Sequence, residues 1–259
     1  MQTTGRANST YTYFFDQFLR EKKYETDVHR IESRILELGL NGKIEKLSVL
    51  TSAREMLKTA ISRGAQTIVA VGNDHTLSKV VDIIAGEKVI LGFIPVGDPH
   101  ETADMLGIPT GVSACDVLSH RIIMELDMGE VNDLQHFLFS VEIPSNLVEI
   151  ECDGKYTVRT KAEGGQFSIH NFGLPGGRVH NPADGLLETV ITRSKKGMFS
   201  LGSRRFEEEG VFPVKKVKVS CAGDAQNLLL DGTTIVKTPA TVKISAKKLK
   251  IIVGKGRQF

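Results

Sequence analysis

Apolar side chains in the first half of this chain follow two different rhythms. In Thr67-Ile68-Val69-Ala70-Val71 and Val89-Ile90-Leu91-Gly92-Phe93-Ile94 they run without interruption, the pattern of strands buried on both faces of a parallel sheet. Elsewhere they return every three or four positions, the spacing of one helical face. Phe14, Phe15, Phe18, Leu19, Val28, Ile31, Ile35, Leu36 and Leu38 predict one or two amphipathic helices over 11–38, closed by Gly39 and Gly42. A short strand is expected over 43–50, then a helix capped by Thr51 and running to Arg63 and Gly64. Leu77, Val80, Val81, Ile83 and Ile84 predict a helix ending at Gly86, and a further helix is expected near 113–125. Strands alternating with helices at this spacing make a βαβ series with right-handed crossovers.

The rhythm changes after Asp127. Short alternating runs broken by Gly, Pro and Asp predict strands at 136–143, 147–152, 156–161, 166–172, 186–193, 214–221, 241–244 and 249–253. The expected architecture is an α/β N-terminal domain with a parallel three-layer sheet, residues 1–126, followed by an antiparallel β-sandwich domain, residues 127–259. The stretch 194–210 reads as a long loop.

Composition narrows the classes. With 259 residues, 41% of them apolar and 25% charged, the chain can bury a proper core, which excludes a disordered or collagenous protein. Cys115, Cys152 and Cys221 are far apart and odd in number, so they read as reduced, packed thiols rather than a disulfide framework. No apolar run approaches the roughly 20 residues needed to cross a bilayer, and the start of the chain has no signal-like apolar segment, so a cytoplasmic protein is expected.

Charge divides the chain. Residues 1–130 carry 14 Lys and Arg against 18 Asp and Glu, whereas residues 131–259 carry 19 against 13. A basic half is compatible with solvated strand edges or with attraction to an anionic membrane surface. For the latter the favoured contact is Lys195, Lys196, Arg204 and Arg205 with Met198, Phe199 and Phe206 as shallow anchors, opposed by Glu207-Glu208-Glu209. Nucleic acid is not expected as a partner, because Trp is absent and no basic strand is interleaved with aromatics.

Each apolar strand ends in a polar turn: Gly72-Asn73-Asp74-His75-Thr76 after the first and Gly97-Asp98-Pro99-His100-Glu101 after the second. Ligands of open parallel sheets bind beyond the carboxyl ends of the strands, near helix N-termini. The two turns are therefore expected to share one crevice. The competing reading is that Asp74 and Thr76 only cap a helix and Glu101 only complements its dipole. His29, His120, His136, His170 and His180 read as structural.

The first turn, Val71-Gly72-Asn73-Asp74-His75-Thr76-Leu77, resembles the Gly-Gly-Asp-Gly-Thr turn of the diacylglycerol kinase catalytic domain family, which is related to sphingosine and NAD kinases. Leu91 to Gly97 is similar to the family's Pro-x-Gly-Thr-x-Asn-Asp segment, Pro182 to Glu188 to its Asp-Gly-Leu-Leu-Asp strand, and Leu230-Asp231-Gly232 to its closing Asp-Gly-Glu region. The resemblance implies ATP and Mg2+ as cofactors and a lipid substrate approaching between two domains at a membrane surface. By the same resemblance, Asp74 and Asp231 are candidate catalytic residues. Gly72, Asn73, His75, Thr76, Gly97, Asp98, His100 and Glu101 are candidate cofactor-binding residues.

Departures from the pattern are equally specific. Asn73 and His75 stand where the family has glycines, and Pro99 can donate no NH. Thr233 occupies the position of the carboxylate that the family places after Asp-Gly as general base. The family's Asn-Pro turn after a first strand is absent, so either that strand precedes Met1 or the sheet lacks it. Three readings remain open: a divergent ATP-dependent lipid kinase with weakened or lost phosphoryl transfer, a nucleotide- or lipid-binding pseudokinase, and a divalent-metal site built from Asp74, His75, Asp98, His100 and Glu101.

Overall fold

A computed structural model of the chain describes residues 11–47, 52–144, 148–159, 165–174, 178, 180–195, 205–221 and 223–259. The chain forms two compact units. The first comprises residues through Leu126 together with Lys248–Gln258, and the second comprises Asp127–Lys247 with Phe259.

The first unit opens on a strand, β1 (Tyr11–Phe15), in which all five residues are buried. A helix was the expectation here. Tyr-Thr-Tyr-Phe-Phe is a run of aromatic and β-branched side chains that fits a pleated surface, and an uninterrupted buried run overrides the helical spacing of its neighbours. This also corrects the expectation that the first strand is missing: β1 lies in the sheet, flanked by two parallel partners. Two 3-10 turns, Gln17–Arg20 and Lys22–Tyr24, lead into α1 (Glu25–Glu37), which buries Val28, Ile31 and Ile35. An exposed strand, β2 (Gly42–Lys46), pairs with β1. The expected cap Thr51 lies outside the described residues; Ser52 caps α2 (Ala53–Ser62), its Oγ accepting from the Glu55 NH at 3.3 Å.

Three further elements follow the sequence closely: β3 (Thr67–Gly72), α3 (Asp74–Ile84) and β4 (Ile90–Pro95), the strands almost entirely buried. Short helices α4 (Glu101–Met105) and α5 (Ala114–His120) come next. The helix expected to reach residue 125 stops at Arg121, which turns left-handed with φ 52°. The Arg121 guanidinium donates to Tyr11 Oη at 2.8 Å and Thr67 Oγ1 at 3.2 Å, bonds that hold this turn against β1 and β3.

From Asp127 to Lys247 the second unit is antiparallel. Its strands are β5 (Ile123–Val131), β6 (Gln135–Phe137), β7 (Ser140–Ile143), β8 (Val148–Cys152), β9 (Tyr156–Arg159), β10 (Gly165–His170), β11 (Leu187–Lys195), β12 (Arg205–Val214), β13 (Lys216–Cys221), β14 (Asn227–Leu230), β15 (Thr234–Lys237) and β16 (Ala240–Ile252). One sheet runs β16-β13-β8-β9, with β5 and β6 beside it, and the other runs β12-β11-β10-β7-β14-β15. Their inner faces meet in a core that includes Phe137, Val141, Ile150, Phe167, Ile169, Leu187, Val217, Leu228 and Val242.

Several expectations change here. The run 136–143 divides into β6 and β7, and 205–210 of the expected loop is the start of β12. Residues 241–244 and 249–253 belong largely to one long strand, β16, whose end is not antiparallel: Lys250 and Ile251 pair in parallel with Ile90 and Leu91 of β4. The apolar Ile251-Ile252-Val253 run at the end of that strand is what a buried edge of the first unit requires. Of the expected membrane contact, Lys195 ends β11 and Arg205 and Phe206 begin β12, while Lys196, Met198, Phe199 and Arg204 lie outside the described residues. Among the described residues, no helix is long and apolar enough to cross a membrane. All three cysteines are free thiols.

Candidate functional site

Strands β3 and β4 pair in register from Thr67↔Ile90 to Gly72↔Pro95, so the two polar turns start side by side. Four hydrogen bonds then bind one turn to the other. Val96 N donates to Gly72 O at 2.8 Å, Asp74 N to Pro99 O at 2.8 Å, Asn73 Nδ2 to Asp98 O at 2.8 Å, and Thr102 N to Asp74 Oδ2 at 3.1 Å. At about 1 kcal/mol net each, such bonds give the pair of turns a single fixed geometry.

Asn73 has two structural duties. Its Oδ1 caps α3 by accepting from Thr76 N at 3.2 Å while its amide holds the second turn. Thr76 is buried, and its hydroxyl donates to Asp16 Oδ2 at 2.7 Å. Asp16 follows β1 directly, anchored by its own NH to Val71 O at 3.0 Å. It was not among the sequence candidates. Its only signal was its position after the first strand, and that strand had been read as helix. Gly72 completes the corner: a Cβ there would lie 2.3 Å from Thr76 Oγ1.

The second turn is more open. Asp98 is exposed, and His100 Nδ1 lies 3.1 Å from its Oδ1; Glu101 begins the five-residue α4. At Gly97, with φ 77°, a Cβ would meet Tyr24 Oη at 3.1 Å and the Phe18 ring at 3.2 Å, so the turn packs on the segment that follows β1.

Asp74 carries a strongly shifted carboxyl. Burial pushes its carboxyl up to about 6, with Glu101 adding to the rise and Thr102 and His100 opposing it. Its Oδ1 is buried without a hydrogen-bond partner. A folded pKa above the unfolded value favours the protonated form, so the associated stability is full below about pH 4 and is lost as pH rises through 6. In metal-free protein, an Asp74→Asn variant is therefore expected to gain roughly 2 to 3 kcal/mol relative to wild type between pH 4 and pH 8, read from urea denaturation followed by circular dichroism. Parallel pH profiles for the two proteins would contradict the assigned shift.

Beside Asp16 lies a pocket of about 350 Å³, lined by Phe15, Leu19 and Val28 on the apolar side and by Arg20, Lys22, His29, Lys46 and Glu25 on the polar side. It sits at the carboxyl ends of β1 and β2, the position expected of a ligand site in a parallel sheet. Among the described residues no three His, Cys, Asp or Glu side chains are arranged to hold a metal ion by themselves. The set Asp74, His75, Asp98, His100 and Glu101 thus shares the two turns without forming a ligand cluster.

Asp231 belongs to the second unit, at the β14–β15 turn, with φ 44°. Its Oδ1 accepts from Phe139 N at 2.8 Å and Ser140 N at 2.9 Å, its Oδ2 from Leu138 N at 2.8 Å. The carboxylate organises the β6–β7 connection. Thr233 closes the same turn through its NH to Leu230 O at 2.9 Å. Two further acids of this unit escaped the sequence reading as candidates: Asp127, 1% exposed, whose Oδ2 accepts from Gly185 N at 2.8 Å, and Asp184, whose Oδ2 lies 2.7 Å from His180 Nε2.

Comparison with known sequences places this geometry beside a known domain. Residues 7–131 match the profile of the diacylglycerol kinase catalytic domain. That part of the chain is diacylglycerol kinase-like. A diacylglycerol kinase of Mycobacterium tuberculosis is 29% identical over 83 residues, covering 31% of this chain and 27% of that protein. A diacylglycerol kinase of Bacillus subtilis is 34% identical over 112 residues, covering 42% of this chain and 36% of that protein. These alignments span about a third or less of the relatives' length, with Gly72 to Glu101 inside the matched family segment. A solved diacylglycerol kinase from Bacillus anthracis shares the fold with a TM-score of 0.73 over 95% of this chain and 97% of that chain, at 15% identity. The diacylglycerol kinase-like segment thus contains β1, both polar turns and the pocket beside Asp16.

Proposed function

We propose that the first unit binds a nucleoside triphosphate, ATP in the resemblance, across the Gly72–Thr76 turn and the pocket beside Asp16. The chain is read as a lipid-kinase-like protein whose phosphoryl transfer is weakened or lost. One observation carries the nucleotide reading: the turn at the N-terminus of α3 is locked to its neighbour, has a corner that only glycine fits, and opens beside a pocket bearing Arg20, Lys22 and Lys46. Helix N-termini and clustered cations are what phosphates recognise.

The donor chemistry suits Mg2+. Carboxylate oxygens at Asp16, Asp74 and Asp98 are hard ligands, and the buried Asp74 Oδ1 lacks a partner. Since no three acids gather by themselves, these residues would hold the ion together with the nucleotide's phosphates, where it neutralises charge on the phosphate oxygens. This chain's own residues would set where the phosphates lie: the positive end of α3 favours an anion, Gly72 makes room for Thr76, and Asn73 keeps the second turn in position.

Weakened transfer is supported by what the chain lacks at the positions the resemblance marks. Thr233 has no carboxylate to take the proton of a lipid hydroxyl. The Asp231 carboxylate receives three backbone NH groups and is poorly placed to accept another proton quickly. Pro99 supplies a carbonyl but no NH. Loss of one preorganised donor costs about 100-fold to 1000-fold in rate at such sites. The second reading, a pseudokinase, rests on the same Asp231 geometry.

The experiment is phosphate transfer from radiolabelled ATP to diacylglycerol and sphingoid lipids, beside a thermal-shift titration with ATP and Mg2+, for wild type and Asp74→Ala. Nucleotide-dependent stabilisation with transfer at least 100-fold below an active lipid kinase is the expected result. Robust turnover abolished in Asp74→Ala would overturn the loss of transfer, and absence of any nucleotide effect would overturn the site.

A further inference from the structure

We propose that Asp16 is a charge gate that restricts this site to metal-complexed nucleotide, excluding the free polyphosphate anion. The inference rests on the nucleotide reading above and deepens the part that reading gives Asp16. Asp16 is 7% exposed, stands at the carboxyl end of β1, and lines the pocket that Arg20, Lys22 and Lys46 make attractive to phosphate. Its Oδ2 accepts the Thr76 hydroxyl at 2.7 Å, so a hydroxyl in the first turn of α3, placed to greet an anion, is committed to a carboxylate.

None of the surrounding described cations is bonded to it. Lys46 pairs with Glu32 at 3.1 Å, Arg20 reaches the Lys46 carbonyl at 3.5 Å, and among the described residues no cation makes an ion pair with Asp16. His29 and Glu25, from α1, complete the ionisable lining. A polyphosphate entering without its cation meets a fixed like charge in a partly desolvated corner, where such juxtapositions are strongly unfavourable. A Mg2+ complex would bring a cation to the same carboxylate, and its sign would become favourable. The metal requirement is then a property of binding, present before any chemistry.

The substitution that isolates charge is Asp16→Asn. It keeps shape, keeps an oxygen to accept from Thr76, and removes the anion. Titration calorimetry with ATP is run on both proteins in EDTA and in excess Mg2+. Wild type is expected to bind ATP at least tenfold more weakly in EDTA than in Mg2+, whereas Asp16→Asn binds in EDTA at least tenfold more tightly than wild type, narrowing the metal dependence. The unfolding midpoint without ligand, compared for the two proteins, shows that the variant is folded. If wild type binds equally in EDTA and Mg2+, or if the variant keeps the full metal dependence, the gate is wrong while the nucleotide site stands. If neither protein binds ATP under either condition, the nucleotide reading itself fails.

Discussion

An Asp231→Ala variant is expected to lose about 3 to 5 kcal/mol of stability, because removing this carboxylate leaves three backbone amides at once without their acceptor. Leu138, Phe139 and Ser140 supply those amides, and Ser140 O takes the Asp231 NH at 2.9 Å in return. The turn residue and the β6–β7 connection therefore stand or fall together. Asn also tolerates the left-handed backbone at φ 44° and offers one oxygen, so Asp231→Asn is expected to lose less than half as much. Urea denaturation followed by circular dichroism reads both. A loss below 1 kcal/mol in the alanine variant would show that the carboxylate is free for other work, and the catalytic assignment would regain ground. Any activity lost in Asp231 variants has to be normalised to the folded fraction.

Gly72→Ala is expected to cost about 2 to 4 kcal/mol and to abolish ATP-dependent stabilisation. The added methyl carbon would sit 2.3 Å from Thr76 Oγ1 and 2.9 Å from Thr76 Cβ. Neither atom can retreat cheaply, since Thr76 is buried and its hydroxyl is bound to Asp16. Relief requires the start of α3 to move away from β3, which breaks the cap from Asn73 and the stitching of the two turns. Gly210→Ala is the control, because among the described residues a methyl there meets nothing within 4 Å. A Gly72→Ala protein with an unchanged midpoint and an unchanged ATP-dependent shift would show that the corner has slack.

Legibility from sequence varied with the source of the signal. The strands β3 and β4 and the helix between them were readable because their apolar runs are long and end in Gly, Pro and Asn. β1 was not, because Phe14, Phe15, Phe18 and Leu19 happen to continue the helical spacing of α1, so local periodicity favoured the wrong element. That error hid Asp16, whose importance depends on a contact with Thr76 across 60 positions of sequence. The two polar turns were visible as candidates, yet their mutual locking was not, since the bonds run largely through carbonyls and amides that every sequence has. The four-residue strands β14 and β15 are too short to show alternation and exist only because the sheet supplies partners. Asp231 illustrates the opposite limit: its motif was legible, but its engagement with three amides is a property of the folded turn.

The last strand carries a temporal consequence. β4 keeps an open edge until Lys250 and Ile251 pair with Ile90 and Leu91, and Gly254 N then bonds Leu106 O at 2.9 Å. During vectorial synthesis the ribosome releases β1 to β4 first and their closing partner only after the second unit, residues 127–247, has emerged. At ordinary elongation rates that interval is on the order of ten seconds. Throughout it the nascent first unit presents an unpaired parallel edge, a template for stray pairing with other chains. Holdase chaperones that shield such edges would act on this chain before, rather than after, its second unit folds.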